Sequence, residues 1–490
     1  MDFTSFENSK INDLIKNSIS NKKYEMELRF LNPYKEPLTY KEFVNVIGVL
    51  KGIGLKGINM GNTTLDISFH SEKDMRFSIN GENNIVNYCN NNSFSKVKDK
   101  ITFMNKKRIS ISGTEVKPLD LRNYDIRLNM KEENILTSKT GLVQKLIKTG
   151  AALDKSYRYK KRYSFESRDG LFRFDLSLIK SSSHEDIIEP KKKLTKKELR
   201  NNQKRLVIKP SNESNFEEWW NGLKEDSVVS LRENKRIRYL YFKDLEESET
   251  LKNDINYEIE MEFIGSHDSV KGKNLSEKVK SVRNSMITNM TIIMQSLQQS
   301  KFIISNAEKK KVKKEVSKLT NLYRFTDSMP LSVTLESNII MEMELSDYYN
   351  TVNIRKNYSV TEKADGERNL LYIDGNGDSY LINRQSEIKK TGCKFIDYKN
   401  SLLDGEFVVK DKKGDNIKLY LVFDIYFSNG IDFRERIFIR TEEDMAEGDN
   451  FKEKSRLEEL EDMINGNQSG MNLKKEDGCE FCLELKAFKF

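Results

Sequence analysis

The sequence predicts an α+β protein in two parts: an N-terminal antiparallel β-barrel that forms a tunnel, and a C-terminal domain of mixed helices and strands. Three observations carry this. Segments up to about residue 265 alternate polar and apolar residues with period two: Tyr24–Phe30, Thr64–Phe69, Met75–Ile79, Tyr157–Phe165, Leu171–Leu178 and Tyr257–Phe263. Such alternation sends successive side chains to opposite faces of a sheet. The polar face carries Glu, Lys or Arg in nearly every strand, a pattern that suits a barrel closed around a charged interior. Next, Leu275–Ile304 contains no Gly or Pro. Its Val279, Val282, Met286, Met290, Ile293 and Leu297 recur at three- and four-residue steps, so it reads as an amphipathic helix whose stripe packs. Beyond residue 321, LLYID, YLINR, GEFVV and LYLVFDIYF read as strands and Phe451–Ile464 as a helix. The expected boundaries are 1–268 for the barrel, 269–320 for a helical connector and 321–490 for the last domain.

Composition narrows the chemistry. The chain has 490 residues with 84 Lys+Arg against 76 Asp+Glu, a net charge of +8. It opens without a basic segment leading into an apolar run, so no secretory signal is expected. It has no stretch of ~20 apolar residues, so no membrane-spanning helix is expected. Four cysteines do not make a disulfide scaffold; Cys479 and Cys482, a lone CxxC, read as two reduced thiols. The three histidines, His70, His184 and His267, are scattered. Histidine-rich metal sites and Ser-His-Asp hydrolases are therefore disfavoured, and any catalysis rests on Lys, Arg, Asp and Glu. Two basic runs, Lys191–Arg205 and Lys309–Lys314, are either solvated faces or surfaces that attract phosphate.

Glu25 and Glu27 share one strand face, and Glu258, Glu260 and Glu262 share another. Facing acidic rows repel unless cations neutralise them. The strands between supply Arg76, Lys107, Arg127, Lys160, Arg162 and Arg173, with Asp175 as a further acid. Carboxylates suit a hard divalent ion, Mg²⁺ or Mn²⁺, and the bases suit phosphate oxygens. This arrangement over residues 20–265 resembles the triphosphatase tunnel metalloenzymes, the RNA triphosphatases of fungal and large-DNA-virus capping systems. The resemblance implies that Glu25 and Glu27, with two of Glu258, Glu260 and Glu262, hold the metal. It also implies that the basic residues named above line the tunnel.

Thr361–Leu370 reads TEKADGERNL, a K-x-D-G-x-R pattern. A neutral lysine amine can attack the α-phosphate of a nucleoside triphosphate. Arg368 would lower its proton affinity and contact phosphate or sugar, and Gly366 would permit a tight turn. Further on come Arg384 in YLINR, Glu406 in LLDGEFVV, and Phe423 and Asp424 in LYLVFDIYF. This order resembles the covalent nucleotidyltransferases, the mRNA-capping guanylyltransferases and ATP-dependent ligases, and Met329–Ser337 resembles their lead-in strand. The resemblance implies a GMP-lysine at Lys363, contacts from Arg368 and Arg384 to ribose or phosphates, sugar or metal binding by Glu406, and base stacking on Phe423. The tail KKEDGCEFCLELKAFKF is a poor match to the family's fourth motif, and Lys486 and Lys489 to its fifth. The domain is therefore expected to be incomplete and to lack its OB part.

The two resemblances together imply an mRNA 5′-capping enzyme acting on 5′-triphosphate RNA and GTP. A methyltransferase domain or subunit and RNA polymerase are its expected partners, with no membrane. The Lys/Asn/Ile-heavy composition suits a large DNA virus and a host-cytoplasmic or virion location. The alternatives are an ATP-dependent RNA or DNA ligase using the same lysine, and a non-catalytic RNA- or polymerase-binding scaffold.

Overall fold

The computed structural model describes residues 1–30, 37–111, 113–190, 193–195, 224, 228–230, 233–329, 359–440, 453–464, 473–475, 479 and 481–489. Two expected features lie outside these residues: the basic run 191–205, except for the short strand Lys193–Thr195, and the lead-in strand beyond Met329. The chain divides into two compact units, one of Phe3–Leu121 and Asp125–Met286, the other of Met1–Asp2, Arg122–Tyr124 and Ile287–Phe490.

The first unit is a closed antiparallel barrel. Its strands are β1 (Tyr24–Phe30), β2 (Lys56–Phe69), β3 (Met75–Asn80), β4 (Ile101–Arg108), the short β5 (Leu119–Leu121), β6 (Ile126–Leu136), β7 (Lys155–Glu166), β8 (Phe172–Ser181) and β9 (Asn256–Phe263). The order β1-β9-β8-β7-β2-β3-β4-β6 returns to β1 through a β1–β6 ladder, and β5 lies beside β6. Eight strands therefore close the wall. β4 and β6, which complete it, were not among the expected strands. β2 begins earlier than expected because register shifts near Gly57 and Met60 carry the ladder to β7 past two irregular points.

The apolar residues point outward here. Met26, Leu28 and Phe30 of β1 are buried, as are Leu65, Ile67 and Phe69 of β2. Helices cover this outer face. α1 (Ser5–Ser20) buries Ile11, Leu14, Ile15 and Ile19. α2 (Tyr40–Gly52) lays Phe43 on Tyr257, ring centroids 5.2 Å apart. α3 (Glu82–Asn91) and α4 (Gly141–Thr149) join a core of Phe69, Phe77, Phe94 and Tyr157. Burying about 25 cal/mol per Å² of apolar surface on the outside leaves the inner face free to be polar.

α5 (Leu275–Gln298) crosses the division between the units. Val282, Met286, Met290 and Ile293 are fully buried, so the stripe packs as its spacing requires.

The second unit is a layered α+β domain. Strands β10 (Val360–Thr361), β11 (Glu367–Ile373), β12 (Asp378–Asn383), β13 (Ile388–Phe395), β14 (Ser401–Lys410), β15 (Asn416–Ser428), β16 (Ile431–Asp432), β17 (Leu473–Lys475), β18 (Cys482–Leu485) and β19 (Phe488–Lys489) belong to it. The main sheet runs β16-β15-β14-β11-β12-β13-β17, with β18 parallel to β15. α6 (Asn306–Leu319) packs Val312 and Val316 on one face, against Leu370, Tyr372, Tyr380 and Ile382. α7 (Arg456–Ile464) packs Leu460 and Met463 on the other, against Leu371, Leu403, Tyr420 and Val422. None of the four cysteines is in a disulfide, and Cys479 Sγ lies 2.9 Å from Cys393 Sγ of β13.

Candidate active sites

The strand register builds the tunnel lining one row at a time. Glu27 faces Glu262, and Arg29 faces Glu260. Arg173, Asp175 and Ser177 of β8 stand beside Glu262, Glu260 and Glu258. Arg158, Lys160 and Arg162 follow on β7, Asp66 on β2, Arg76 on β3 and Lys106 on β4. Lys106 meets Glu133 of β6, and Lys131 meets Glu25, which completes the ring.

Ion pairs run around this ring. Arg29 bonds Glu258 at 2.8 Å and Glu260 at 2.9 Å, and approaches Glu27 at 3.5 Å. Arg158 donates to both oxygens of Glu258, at 2.9 and 3.0 Å. Lys106 pairs with Glu25, with Glu133 at 2.5 Å, and with Glu27 at 3.8 Å. Arg173 pairs with Glu262 and, at 3.0 Å, with Asp175. Arg162 holds Asp175 at 3.0 Å, and Ser164 donates to the same carboxylate at 2.6 Å. Lys160 pairs with Asp66, and Arg76 stands 3.8 Å from it.

The acids divide into two electrostatic classes. Burial and then neighbouring carboxylates push Glu25 up to about 8. Burial pushes Glu262 up to about 7 and raises Glu27, the latter with help from Glu260. Burial also works against Glu260 and Asp66. Arg29, Arg162 and Arg158 nonetheless hold Glu260 below the usual carboxylate range, and Lys160 and Arg76 do the same for Asp66. Burial thus makes the charged form costly at the Glu25–Glu27–Glu262 corner, and Lys106, Arg29 and Arg173 offset that cost only in part.

Of the expected lining residues, one falls elsewhere and another is held by a neighbouring acid. Lys107 is exposed. Period two puts Lys106, in phase with Met104, on the inner face instead. Arg127 lies on the inner parity of β6, but Asp120 holds it in a bidentate pair at 2.6 and 3.0 Å. Asp175 is buried among arginines and orients them. Arg29, Asp66, Lys106, Glu133 and Arg158 were not anticipated. Arg29 continues the Glu25–Glu27 row by one step of two, so its signal was present in the sequence.

The second unit has a cleft of about 620 Å³ lined by Thr361, Gly366, Arg368, Arg384, Glu406, Phe423, Lys486 and Phe488, among others. Lys363 is exposed on the loop between β10 and β11. It is not itself a lining residue, but Thr361 and Gly366, which flank it, are. That loop is tied at both ends. Thr361 Oγ1 donates to Ala487 O at 2.7 Å, and Gly366 N–H donates to Glu406 Oε1 at 2.9 Å. Glu406 therefore positions the lysine loop.

Arg368 is spent locally: fully buried Asp404 grips it through two bonds, and Tyr426 donates to Asp404 at 2.5 Å. The guanidinium lies 5.6 Å from the centre of the Phe423 ring, and Lys486 Nζ lies 5.5 Å from it. Two cations beside one aromatic ring suit an anionic ligand that carries a planar base. Asp424 is held by another cation: Arg456 bonds it at 2.9 Å, while burial raises it to about 6. Asp404, Tyr426 and Phe488 were not anticipated. Lys486 arrives because β18 pairs with β15 and β19 pairs with β10, long-range pairings that its local sequence does not announce.

Gly366 has no left-handed backbone requirement. A Cβ there would stand 2.7 Å from Phe407 O and 2.9 Å from Glu406 Cγ. Gly366→Ala is expected to displace the loop, break the Gly366–Glu406 bond and cost about 1–3 kcal/mol. Thermal denaturation, together with covalent labelling by nucleotide, checks this; an unshifted melting temperature with full labelling would contradict it.

Comparison with known proteins bears on both units. Residues 299–477 match the model of the mRNA capping enzyme, catalytic domain. The "Probable mRNA-capping enzyme" of Acanthamoeba polyphaga mimivirus is 30% identical over 181 residues, 36% of this chain and 13% of that protein. The chain thus spans about an eighth of that relative's length. Among solved structures, the Mimivirus capping enzyme triphosphatase is 15% identical, with a TM-score of 0.34 over 59% of this chain and 98% of that one. The S. pombe Pct1 RNA triphosphatase is 11% identical, with a TM-score of 0.29 over 60% and 94%. The C-terminal segment, with its Lys363 loop, Glu406 strand and Phe423 strand in order around one cleft, is similar to the catalytic domain of mRNA-capping enzymes.

Proposed function

We propose that the chain is a two-activity mRNA 5′-capping enzyme: the tunnel removes the γ-phosphate from 5′-triphosphate RNA, and the second unit transfers GMP from GTP through Lys363. The observation that carries this reading is the pairing of a closed barrel, lined by facing acidic strands and basic rows, with a segment matched by the capping-enzyme catalytic domain. An RNA 5′ end needs both reactions in that order.

In the tunnel, Arg162, Arg173, Lys160 and Arg76 are placed to grip phosphate oxygens, with Asp175 and Asp66 fixing their directions. The donor set suits a hard divalent cation, and burial raises Glu25, Glu27 and Glu262, so a cation placed among them would favour their charged forms. Arg29 and Lys106 stand between these acids, and among the described residues no three metal-ligating side chains converge on one point. Ion binding by Glu25, Glu27, Glu260 and Glu262 requires those two bases to swing aside. A bound Mg²⁺ or Mn²⁺ supplies charge neutralisation at the γ-phosphate and an acidified water.

In the second unit, Lys363 Nζ, once neutral, attacks the α-phosphorus of GTP. A P–N bond forms, the α–β anhydride breaks and pyrophosphate leaves. The β-phosphate oxygen of the diphosphate RNA then attacks the same phosphorus and expels the lysine amine. Arg384 and Lys486 hold phosphates, Arg368, fixed by Asp404, lends its charge beside Phe423, and Phe423 supports the base.

Incubation with α-labelled GTP or ATP and a divalent ion, followed by a denaturing gel, tests the transfer half. Label from GTP supports the reading, whereas label only from ATP replaces it with a ligase. The tunnel has a test in pH. A carboxyl whose folded-state pKa is raised contributes stability below its unfolded value, near 4.5, which is lost as pH rises through the folded value. The share from Glu25 and Glu262 should thus disappear between about pH 5 and 8. Divalent-ion affinity should rise over the same window, with protons released on binding. Calorimetric titration at the two ends of the window reads this; equal affinity and no proton release would remove these glutamates as ligands.

A further inference from the structure

The basic helix α6 is not consumed by either reaction, and its lysines are not equivalent. Val312 and Val316 are fully buried against the sheet. Lys311 pairs with Asp374 at 2.9 Å, and Lys313 lies 5.3 Å from the centre of the Phe325 ring. Lys310, Lys314 and Lys318 are exposed, and among the described residues none of their ammonium groups has an ion-pair or hydrogen-bond partner.

These three form a row. At about 100° per residue they fall within roughly 80° of one another, on the side opposite Val312 and Val316. Four residues at about 1.5 Å rise put successive ammonium groups about 6 Å apart along the axis. No large apolar side chain between 306 and 319 is exposed. Protein interfaces deplete lysine and enrich aromatic and apolar anchors, so this face is a poor match to a protein partner. A straight row of unpaired, flexible cations instead matches a linear polyanion carrying one charge per nucleotide.

We propose that Lys310, Lys314 and Lys318 form a docking track for the phosphate backbone of single-stranded RNA. Naming the ligand as the body of the RNA being capped rests on the function proposed above; the track itself does not. Binding there is independent of base sequence and strongly dependent on salt, because each phosphate contact releases condensed counterions.

The test uses the full chain and a short single-stranded RNA with a 5′-hydroxyl end, which withholds the phosphates the tunnel would grip. Affinity is measured between about 50 and 200 mM salt. Each lost single-strand contact flattens the slope of log K against log salt by about 0.7, so the Lys310→Ala/Lys314→Ala/Lys318→Ala triple variant should flatten it by about 2. The corresponding triple arginine variant should retain the wild-type slope. GMP labelling, which needs no RNA, should be equal in all three proteins. An alanine triple with wild-type affinity and slope overturns the proposal. So does an arginine triple that loses RNA, or an alanine triple that loses polyglutamate while keeping RNA, since the face would then serve an acidic protein. If wild type takes no label from GTP while the alanine triple flattens the slope, the capping reading falls and the RNA track stands.

Discussion

Lys363→Ala should take up no label from α-labelled GTP, while its melting temperature and its phosphate release from triphosphate RNA stay at wild-type values. The side chain is exposed, and none of the hydrogen bonds that anchor its loop uses its ammonium group. Removing it therefore costs little in folding, within about 0.5 kcal/mol for a surface change of this kind. Chemically it costs everything, because the reading gives the P–N bond to Lys363 alone, and the guanidiniums of Arg368 and Arg384 never offer a neutral amine in its place. Lys363→Arg should fail equally, since a guanidinium keeps the charge but never offers a free amine. Residual label in either variant would mean that another residue carries the nucleotide.

Glu27→Ala should lower phosphate release from triphosphate RNA by at least about a hundredfold, or about 2.7 kcal/mol of transition-state stabilisation, without affecting GMP labelling. Glu27 stands at the centre of the acidic corner: opposite Glu262 in register, near enough to Glu260 to be raised by it, and within 4 Å of both Arg29 and Lys106. Glu258 is placed differently. It sits one step along β9, held by Arg158 and Arg29. Three acidic candidates on one strand are thus separated by register. Glu260→Ala and Glu262→Ala should match Glu27→Ala, and Glu258→Ala should cost markedly less. Equal losses from Glu258 and Glu262 would refute that assignment of the ligand pair. Steady-state phosphate release with saturating Mg²⁺ or Mn²⁺ measures all four.

Much of the first unit was legible because alternation is a local signal. YEMELRF and YEIEMEF each specify an apolar outer face and an acidic inner face within seven residues, and both strands form as written. β4 and β6 escaped because ITFMNKKR and IRLNMKEENIL break alternation at their ends, where Asn105–Arg108 and Lys131–Asn134 crowd polar groups on both faces. The same lapse shifted the lining lysine by one position: without a strand phase anchored on buried Phe103, Lys106 and Lys107 are indistinguishable. In the second unit, the order of Lys363, Arg384, Glu406 and Phe423 along the chain pointed to one site, and four neighbouring strands gather all but the lysine tip around one cleft. Asp404 was overlooked as a partner of Arg368 because a carboxylate beside a glycine shows no pairing until β11 and β14 lie in register.

Residue choice within single strands and motifs determined which faces are acidic, which are apolar, and which lysine is chemically singled out, because those properties depend on neighbours two to five positions away. Which glutamates crowd, which arginines are already neutralised, and how the last strands bring Lys486 and Phe488 to Phe423 were decided only by the fold. Those outcomes depend on distances between groups tens to hundreds of residues apart, and electrostatic energy follows separation in space and exclusion of water rather than position along the chain.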